Sequence, residues 1–388
     1  LNSFVQTYYH LKFILFFNEK RMTTGLFNYR SPAFRELLLN PTETEKKYNM
    51  EKDVVQEVLA KYQPKVIQLI QQRRKKEQDA AASTENAVRS PNGFKLFMSM
   101  FAQVPNAIDD LKNAIISREK RNAVITVTKK KDVNNARLLT NPSLNTNGFI
   151  LAKHPSSIVN WEDQEERNAK YLNEIEEVVK KATGAAYTFC GSSLFRQSGQ
   201  TNPLAKVFNV AVGPIQSVHN DFTEDYGRRF IETYETQETK TVGFGFIEKM
   251  REVGITVEEL KNDYKMVIVN TWRSVTDYPM DAMPLALVDK STVRRDELVP
   301  SDLGGNGNGL PVFSSEYNPN HKFYYYPKLM KDEVMVFKTY DSDENPFIPT
   351  LHTAFNDENT KPDALPRKSV EARVMCLIPR RKHQHAKL

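Results

Sequence analysis

Pro214-Ile215-Gln216-Ser217-Val218-His219-Asn220-Asp221 is the stretch on which the reading of this chain turns. It reads as a strand, and side chains along a strand alternate between its two faces. His219 and Asp221 therefore share a face, while Asn220 turns away to solvent or to a supporting place behind them. Two imidazoles and one carboxylate can occupy one face of an octahedral metal and leave the opposite three positions open. Working outward for a second imidazole leads to His352, in the short apolar segment Pro349-Thr350-Leu351-His352-Thr353-Ala354-Phe355, and then to Arg367-x-Ser369. A guanidinium fork and a hydroxyl suit the far carboxylate of a dicarboxylic cosubstrate such as 2-oxoglutarate. His-x-Asp alone recurs by chance, and a lone histidine in an apolar segment is more often a core residue. The order of the three signals along the chain is what carries the reading.

Around that stretch the chain is rich in strands. Short runs of β-branched and aromatic residues predict strands over Ala186 to Cys190, Val207 to Val212, Ile215 to Asp221, Tyr264 to Arg273, Pro284 to Asp289, Glu316 to Tyr317, Lys322 to Pro327, Val334 to Tyr340 and Val370 to Pro379. Ile125 to Thr128 is a further strand-like run. Two helices interrupt this β-rich part. Asn160 and Asp163 open one whose apolar stripe is Leu172, Ile175, Val178 and Val179 and which ends before Gly184, and Thr256-x-x-Glu259 is a capping box opening another. Many strands with long, unequal connections fit a mainly β, double-sheet jelly roll rather than a parallel sheet.

Upstream the pattern is helical. Val54, Val55, Val58, Leu59 and Tyr62, then Val66, Ile67 and Ile70, recur at helical spacing on either side of Pro64, predicting two helices or one kinked helix. Lys76 to Pro91 reads as a linker, and Ile108, Leu111 and Ile115 share one side of a further helix. The expected division is a helical, partly mobile N-terminal extension over 1–130, a β domain over 131–380 and a basic tail over 381–388. No chemistry is legible in the first part.

With 388 residues, 26% of them charged, the chain is expected to be a soluble globular protein of one large domain or of a domain plus an appendage. The apolar run Leu11 to Phe17 contains Lys12 and is too short to span a bilayer, and no small-residue cleavage site follows it before Met22, which is the expected true start. Cys190 and Cys376 are too few for a disulfide framework, which points to a reducing compartment and a cytoplasmic location. The net charge of +6 is concentrated in Arg73-Arg74-Lys75-Lys76, Lys129-Lys130-Lys131 and Arg380-Arg381-Lys382-His383. These runs lack the interleaved aromatics or reading element of a nucleic-acid binder, and read as solvated faces. Gly304-Gly305-Asn306-Gly307-Asn308-Gly309 lacks the strand before and helix after that a phosphate loop needs, and His383-x-His385 has no further ligands.

From about Leu139 to Leu377 the chain resembles the hydroxylase/desaturase family named for asaB, which includes the bacterial cephamycin hydroxylation component and fungal tailoring oxygenases. The likeness rests on Asn147-Gly148-Phe149, Thr183-Gly184-Ala185, His219-Asn220-Asp221, Asn270-Thr271-Trp272-Arg273, Pro284-Leu285-Ala286-Leu287, Tyr324-Tyr325-Tyr326-Pro327, Lys338-Thr339-Tyr340-Asp341-Ser342, His352-Thr353-Ala354-Phe355 and Pro366-Arg367-x-Ser369-Val370-Glu371-x-Arg373. Each is a common word, but their collective order is specific.

The resemblance implies a double-stranded β-helix, the cupin-like jelly roll, holding mononuclear Fe(II), with oxygen and usually 2-oxoglutarate as cosubstrates. His219, Asp221 and His352 match the ligand positions, and Arg367 with Ser369 the cosubstrate position. Arg373 is an alternative, because Arg367, Ser369, Glu371 and Arg373 lie on one face if the strand begins at Arg367. Either arginine can face inward; Arg367 is preferred. Asn270, Trp272 and Arg273 on one strand are candidates to line the pocket or to brace the iron ligands, and Tyr325 in the aromatic run Phe323 to Tyr326 is a further candidate for the pocket. Trp272 reads equally as core, and the aromatic run reads more readily as sheet packing. The expected protein is an Fe(II)/2-oxoglutarate oxygenase that hydroxylates or desaturates a small organic molecule in secondary metabolism, with no nucleic-acid or membrane partner. Two alternatives stay open: a catalytically silent jelly-roll scaffold, and a cupin-like metal enzyme that uses no keto acid.

Overall fold

The computed structural model describes residues 23–47, 55–77, 99–117 apart from 102, 112 and 115, 126–198, 213–236, 245–301 and 312–380. The strand expected over 207–212, the glycine-rich loop 304–309, the tail 381–388 and most of the linker after Lys76 lie outside the described residues.

Among the described residues, the strands in chain order are β1 (Thr23–Arg30), β2 (Thr126–Asn135), β3 (Phe149–Lys153), β4 (Tyr187–Gln197), β5 (His219–Asn220), β6 (Tyr264–Ser274), β7 (Leu285–Val288), β8 (Leu298–Ser301), β9 (Val312–Ser315), β10 (Phe323–Tyr325), β11 (Glu333–Asp341), β12 (His352–Ala354), β13 (Asn356–Asp357) and β14 (Lys368–Pro379). They form a nine-stranded sheet ordered β13-β1-β2-β10-β7-β12-β5-β9-β8 and a five-stranded sheet ordered β3-β11-β6-β14-β4. Phe27, Val133, Ala286 and Phe323 of the first sheet share a core with Phe189, Ile268, Met375 and Leu377 of the second, so the sheets pack face to face as a jelly roll requires.

Strand alternation decides what each sheet face meets. On β6 and β14, Ile268 and Met375 turn into the core between the sheets. Val267, Val269, Val370, Val374 and Cys376 turn outward against α1 (Leu172–Thr183), which contributes Ile175, Val178 and Val179. Both faces are covered, so these strands are apolar nearly throughout rather than alternating with polar residues. The helix stops where expected: Gly184 adopts φ +68, the left-handed conformation that closes a helix, and its amide bonds the Lys180 carbonyl. The capping box is also present, with Thr256 and Glu259 bonding each other's backbone amides.

The N-terminal region departs from the all-helical expectation. Thr23–Arg30 is a strand in the nine-stranded sheet, paired with β2 over eight positions, and β2 itself straddles the expected boundary at residue 130. Thr23, Gly25, Phe27 and Tyr29 alternate inward there, a short period-2 pattern blurred because Thr23 and Gly25 are not apolar and the apolar Leu26 faces outward. Between β1 and β2 a single helix, Val55–Glu77, runs through Pro64 and packs Tyr62, Val66 and Ile70 on Phe101, Val104 and Leu111, a core separate from that of the sheets. The expected strand over Ile215 to Asp221 contracts to β5, with Ser217 joined to Asn28 by an isolated parallel bridge. The strand expected at Glu316 to Tyr317 falls earlier, as β9.

Candidate active site

His219 on β5 and His352 on β12 are directly opposed in the antiparallel ladder of the nine-stranded sheet, so register alone brings together residues distant in the chain. Their rings lie 4.4 Å apart between centroids. Asp221 follows β5 on the same side, and its Oδ1 is 3.6 Å from His219 Nε2 and 4.0 Å from His352 Nε2. Nδ1 of His219 lies 2.7 Å from the Ser217 carbonyl and Nδ1 of His352 lies 3.4 Å from the Thr350 carbonyl. A ring nitrogen facing a carbonyl must carry the proton, which leaves both Nε2 lone pairs turned toward Asp221. One nitrogen from each ring and one carboxylate oxygen fall within 4.8 Å of one another. Nitrogen, nitrogen and oxygen donors of this kind fit a divalent transition metal.

Asp221 is held from the opposite sheet. Its Oδ2 accepts from Asn270 Nδ2 of β6 at 2.7 Å, from Arg373 Nε of β14 at 2.9 Å and from Arg373 Nη2 at 2.7 Å. Asn270 is fixed in turn, since Thr339 Oγ1 donates to Asn270 Oδ1 at 3.0 Å. Thr339 occupies a break in the β11–β6 register between Lys338 and Tyr340, where an extra residue in one strand re-aims a side chain. The same residue's carbonyl accepts from Asn220 Nδ2 at 2.9 Å, so Asn220 is fully buried and braces the strand rather than meeting solvent. Burial alone would raise the Asp221 carboxyl. Arg373 above all, with both histidines and the Asn270 amide, reverses this and holds it well below the usual carboxylate range. Burial and the neighbouring His219 push His352 down to about 4, so its ring is neutral at physiological pH.

Arg367 lies in the same cavity, with Arg196, Ile215, Trp272, Leu285, Phe337 and Glu371 among its walls. Its Nε donates to Ser369 Oγ at 3.1 Å, its Nη1 donates to the Met283 carbonyl at 2.7 Å, and its guanidinium stacks 4.8 Å from the Trp272 ring. Among the described residues no carboxylate pairs with it. Burial, reinforced by Arg196, pushes Arg367 down to about 9. The other two arginines are compensated: Arg196 grips both oxygens of Glu371 at 2.9 and 3.0 Å, and Arg373 engages Asp221. Burial would raise Glu371, but Arg196 and then Arg373 keep it down at about 2. The wall therefore carries three cations against two anions, and Arg367 is the cation left over.

Of the further pocket candidates, Asn270 and Trp272 line the cavity. Arg273 does not. Alternation turns it to the outer face of β6, where it lies between Trp161 and Tyr171. Tyr325 is also absent from the cavity wall; it is buried between the sheets with its ring edge-on to Phe355. Sequence reasoning missed Arg196, because the strand ending it expected at Cys190 continues to Gln197. It also missed Thr339, whose place depends on a register break that no residue spacing announces.

The chain matches the family described as oxidoreductase/YMDC permease-like domain over residues 103–377. Among similar proteins, the alpha-ketoglutarate-dependent dioxygenase phiK of a fungal species is 26% identical over 240 residues, covering 61% of this chain and 79% of its own. The Fe(II)/2-oxoglutarate-dependent dioxygenase nvfI of Aspergillus novofumigatus is 26% identical over 242 residues, covering 61% and 77%. The hydroxylase/desaturase asaB of Aspergillus flavus is 31% identical over 129 residues, 29% of this chain and 55% of that protein. Among solved structures, the iron and alpha-ketoglutarate-dependent endoperoxidase NvfI superposes with a TM-score of 0.52 at 23% identity, over 66% of this chain and 88% of that one, a likeness of fold. No helix among the described residues is long and apolar enough to cross a membrane.

Proposed function

This chain belongs to the oxidoreductase/YMDC permease-like domain family, and on that premise we propose that it is a non-haem Fe(II) oxygenase using 2-oxoglutarate and oxygen to hydroxylate or desaturate a small organic molecule, as a tailoring step in secondary metabolism. The observation that carries the proposal is the gathering of two Nε2 lone pairs and a single free carboxylate oxygen within 4.8 Å of one another, beside a buried arginine with no carboxylate partner among the described residues.

In this reading His219, Asp221 and His352 hold the iron, which when bound with the keto acid supplies the oxidising power for the reaction. Everything else is the work of the chain's own groups. Arg367 and Ser369 bind the far carboxylate of 2-oxoglutarate, with Trp272 holding the guanidinium flat; the uncompensated charge of Arg367 is what a dianionic cosubstrate neutralises. Arg373 and Asn270 orient Asp221: with its Oδ2 occupied by three donors, only Oδ1 is offered to a metal. Ile215, Leu285 and Phe337 give the cavity apolar walls that exclude water and position a C–H bond.

Anaerobic addition of Fe(II) and then 2-oxoglutarate tests this. A visible metal-to-keto-acid absorption band supports the proposal. Metal binding without the band marks a cupin-like enzyme that uses no keto acid, and no metal binding marks a silent scaffold.

A further inference from the structure

Three guanidiniums line the active-site cavity, and Glu371 decides which of them the protein itself satisfies. Arg196 stands opposite Ser369 in the β14–β4 ladder, and Ser369 Oγ accepts from Arg367 Nε, so two cations flank one residue. Each nitrogen of Arg196 has an acceptor. Nε and Nη2 donate to Glu371 Oε2 and Oε1 at 2.9 and 3.0 Å, and Nη1 donates to the Gly213 carbonyl at 3.1 Å. Arg367 meets only neutral acceptors among the described residues, the Ser369 hydroxyl and the Met283 carbonyl. Glu371 Oε1 also lies 3.6 Å from Arg373 Nη2, but that nitrogen is nearer to Asp221 Oδ2, at 2.7 Å. Glu371 is therefore committed chiefly to Arg196.

A two-point pair between a guanidinium and a carboxylate is strong and fixes the geometry of both, so it withdraws Arg196 from any ligand in the cavity. Without it, two guanidiniums would face the cavity on either side of Ser369. Such a pair suits a compact dianion, sulfate or phosphate, better than it suits the single charge of a far carboxylate. Discrimination of this kind is gained by making the competitor worse rather than the ligand better. We propose that Glu371 is a specificity-determining residue, an internal counter-anion that occupies Arg196 so that Arg367 alone is open to an anion and inorganic dianions are held weakly. The inference rests on the reading of Arg367 as the clamp for the cosubstrate's far carboxylate.

The probe is sulfate, titrated by calorimetry into the metal-free full-length protein at constant ionic strength. Glu371→Gln keeps the shape of the side chain and removes its charge, and is expected to bind sulfate about tenfold more tightly than the parent. Adding Arg196→Met to the same chain should return the affinity to the parent's. A merely structural role for Glu371 gives the opposite sign, weaker sulfate binding in Glu371→Gln. That result, an unchanged affinity, or a gain that persists in the double variant overturns the proposal. If Glu371→Gln does not fold, Arg196→Met decides. Glu371 then turns its charge on Arg367, so sulfate binding should weaken about tenfold and recover when Glu371→Gln is added; a loss that the second change does not repair overturns the proposal. Since no arm needs metal, a chain that takes up no iron refutes the oxygenase reading and leaves this result standing. A chain that binds iron and keto acid while Glu371→Gln gains no sulfate affinity refutes the counter-anion alone.

Discussion

Replacing Arg373 by methionine separates the two tasks an arginine can perform in this cavity. The change removes two donors from Asp221 Oδ2, at 2.9 and 2.7 Å, and leaves only the Asn270 amide at 2.7 Å. Hydrogen bonds to charged groups contribute about 1.5–3 kcal/mol each, and removing one partner of a buried ion pair costs about 3–5 kcal/mol. In the proposed site the Asp221 carboxylate would then be free to offer both oxygens to a bound metal. It would compete there with the keto acid. Arg373→Met is therefore expected to retain Fe(II) but to weaken 2-oxoglutarate and pyruvate alike, by about tenfold or more, which is about 1.4 kcal/mol. Arg367→Met removes the proposed clamp for a far carboxylate that pyruvate does not have. It should weaken 2-oxoglutarate by about a hundredfold, the equivalent of roughly 3 kcal/mol, and leave pyruvate almost unchanged. Anaerobic titration of each iron-loaded variant, read at the keto-acid absorption band, gives the four affinities. An Arg373→Met protein that loses 2-oxoglutarate but keeps pyruvate would refute the reasoning and make Arg373 the clamp.

Three further outcomes follow from the geometry. His219→Ala, Asp221→Ala and His352→Ala should each reduce bound iron from about one equivalent to almost none, and unchanged metal content in all three by elemental analysis would remove the assignment of ligands. Gly148→Ala places a methyl group 2.1 Å from Thr350 Oγ1 at a backbone φ of +90, next to the segment that carries His352, and should cost about 2–4 kcal/mol in urea unfolding together with iron affinity; a variant as stable and as tight as the parent would show that Thr350 moves freely. Burial pushes both Cys190 and Cys376 up to about 12, so at pH 8 only about one thiol in ten thousand is ionised. Ellman's reagent should label neither until the protein unfolds, and rapid labelling of the native protein would contradict that.

The fold class and the shared face of His219 and Asp221 were legible because each rests on a local rule, whereas His352 was named only from its order in the chain and meets them through the register of β5 with β12. Period 2 puts His219 and Asp221 on one side of a strand whatever the rest of the chain does, and the capping residues around Asp163, Gly184 and Thr256 act within a few positions. What escaped depends on register. That Arg273 faces away from the cavity follows from the same alternation once Asn270 is known to face inward, yet the sequence does not say which parity of β6 is inner when both faces are buried. The role of Arg373 depends on β14 lying beside β6 rather than beside another strand. Thr339 depends on a break in a ladder between strands that are distant in sequence. Strand β1 was hidden for a related reason, because its partner lies on the far side of the helical region.

That last pairing has a consequence for how the chain can be shortened or extended. β1 and β2 form an antiparallel hairpin whose connection is everything from residue 31 to residue 125. Loop-closure entropy rises only with the logarithm of length, about 0.6 kcal/mol per doubling, so widening a four-residue turn to this span costs roughly 3 kcal/mol. The hairpin can therefore host a helical unit with its own core at little thermodynamic expense, and the unit can diverge or be exchanged without disturbing the sheets. The strand before it has no such freedom. The Asn28 carbonyl accepts from the Val218 amide, one residue before His219, so a truncation that discards the helices together with β1 also removes the backbone support beside that histidine.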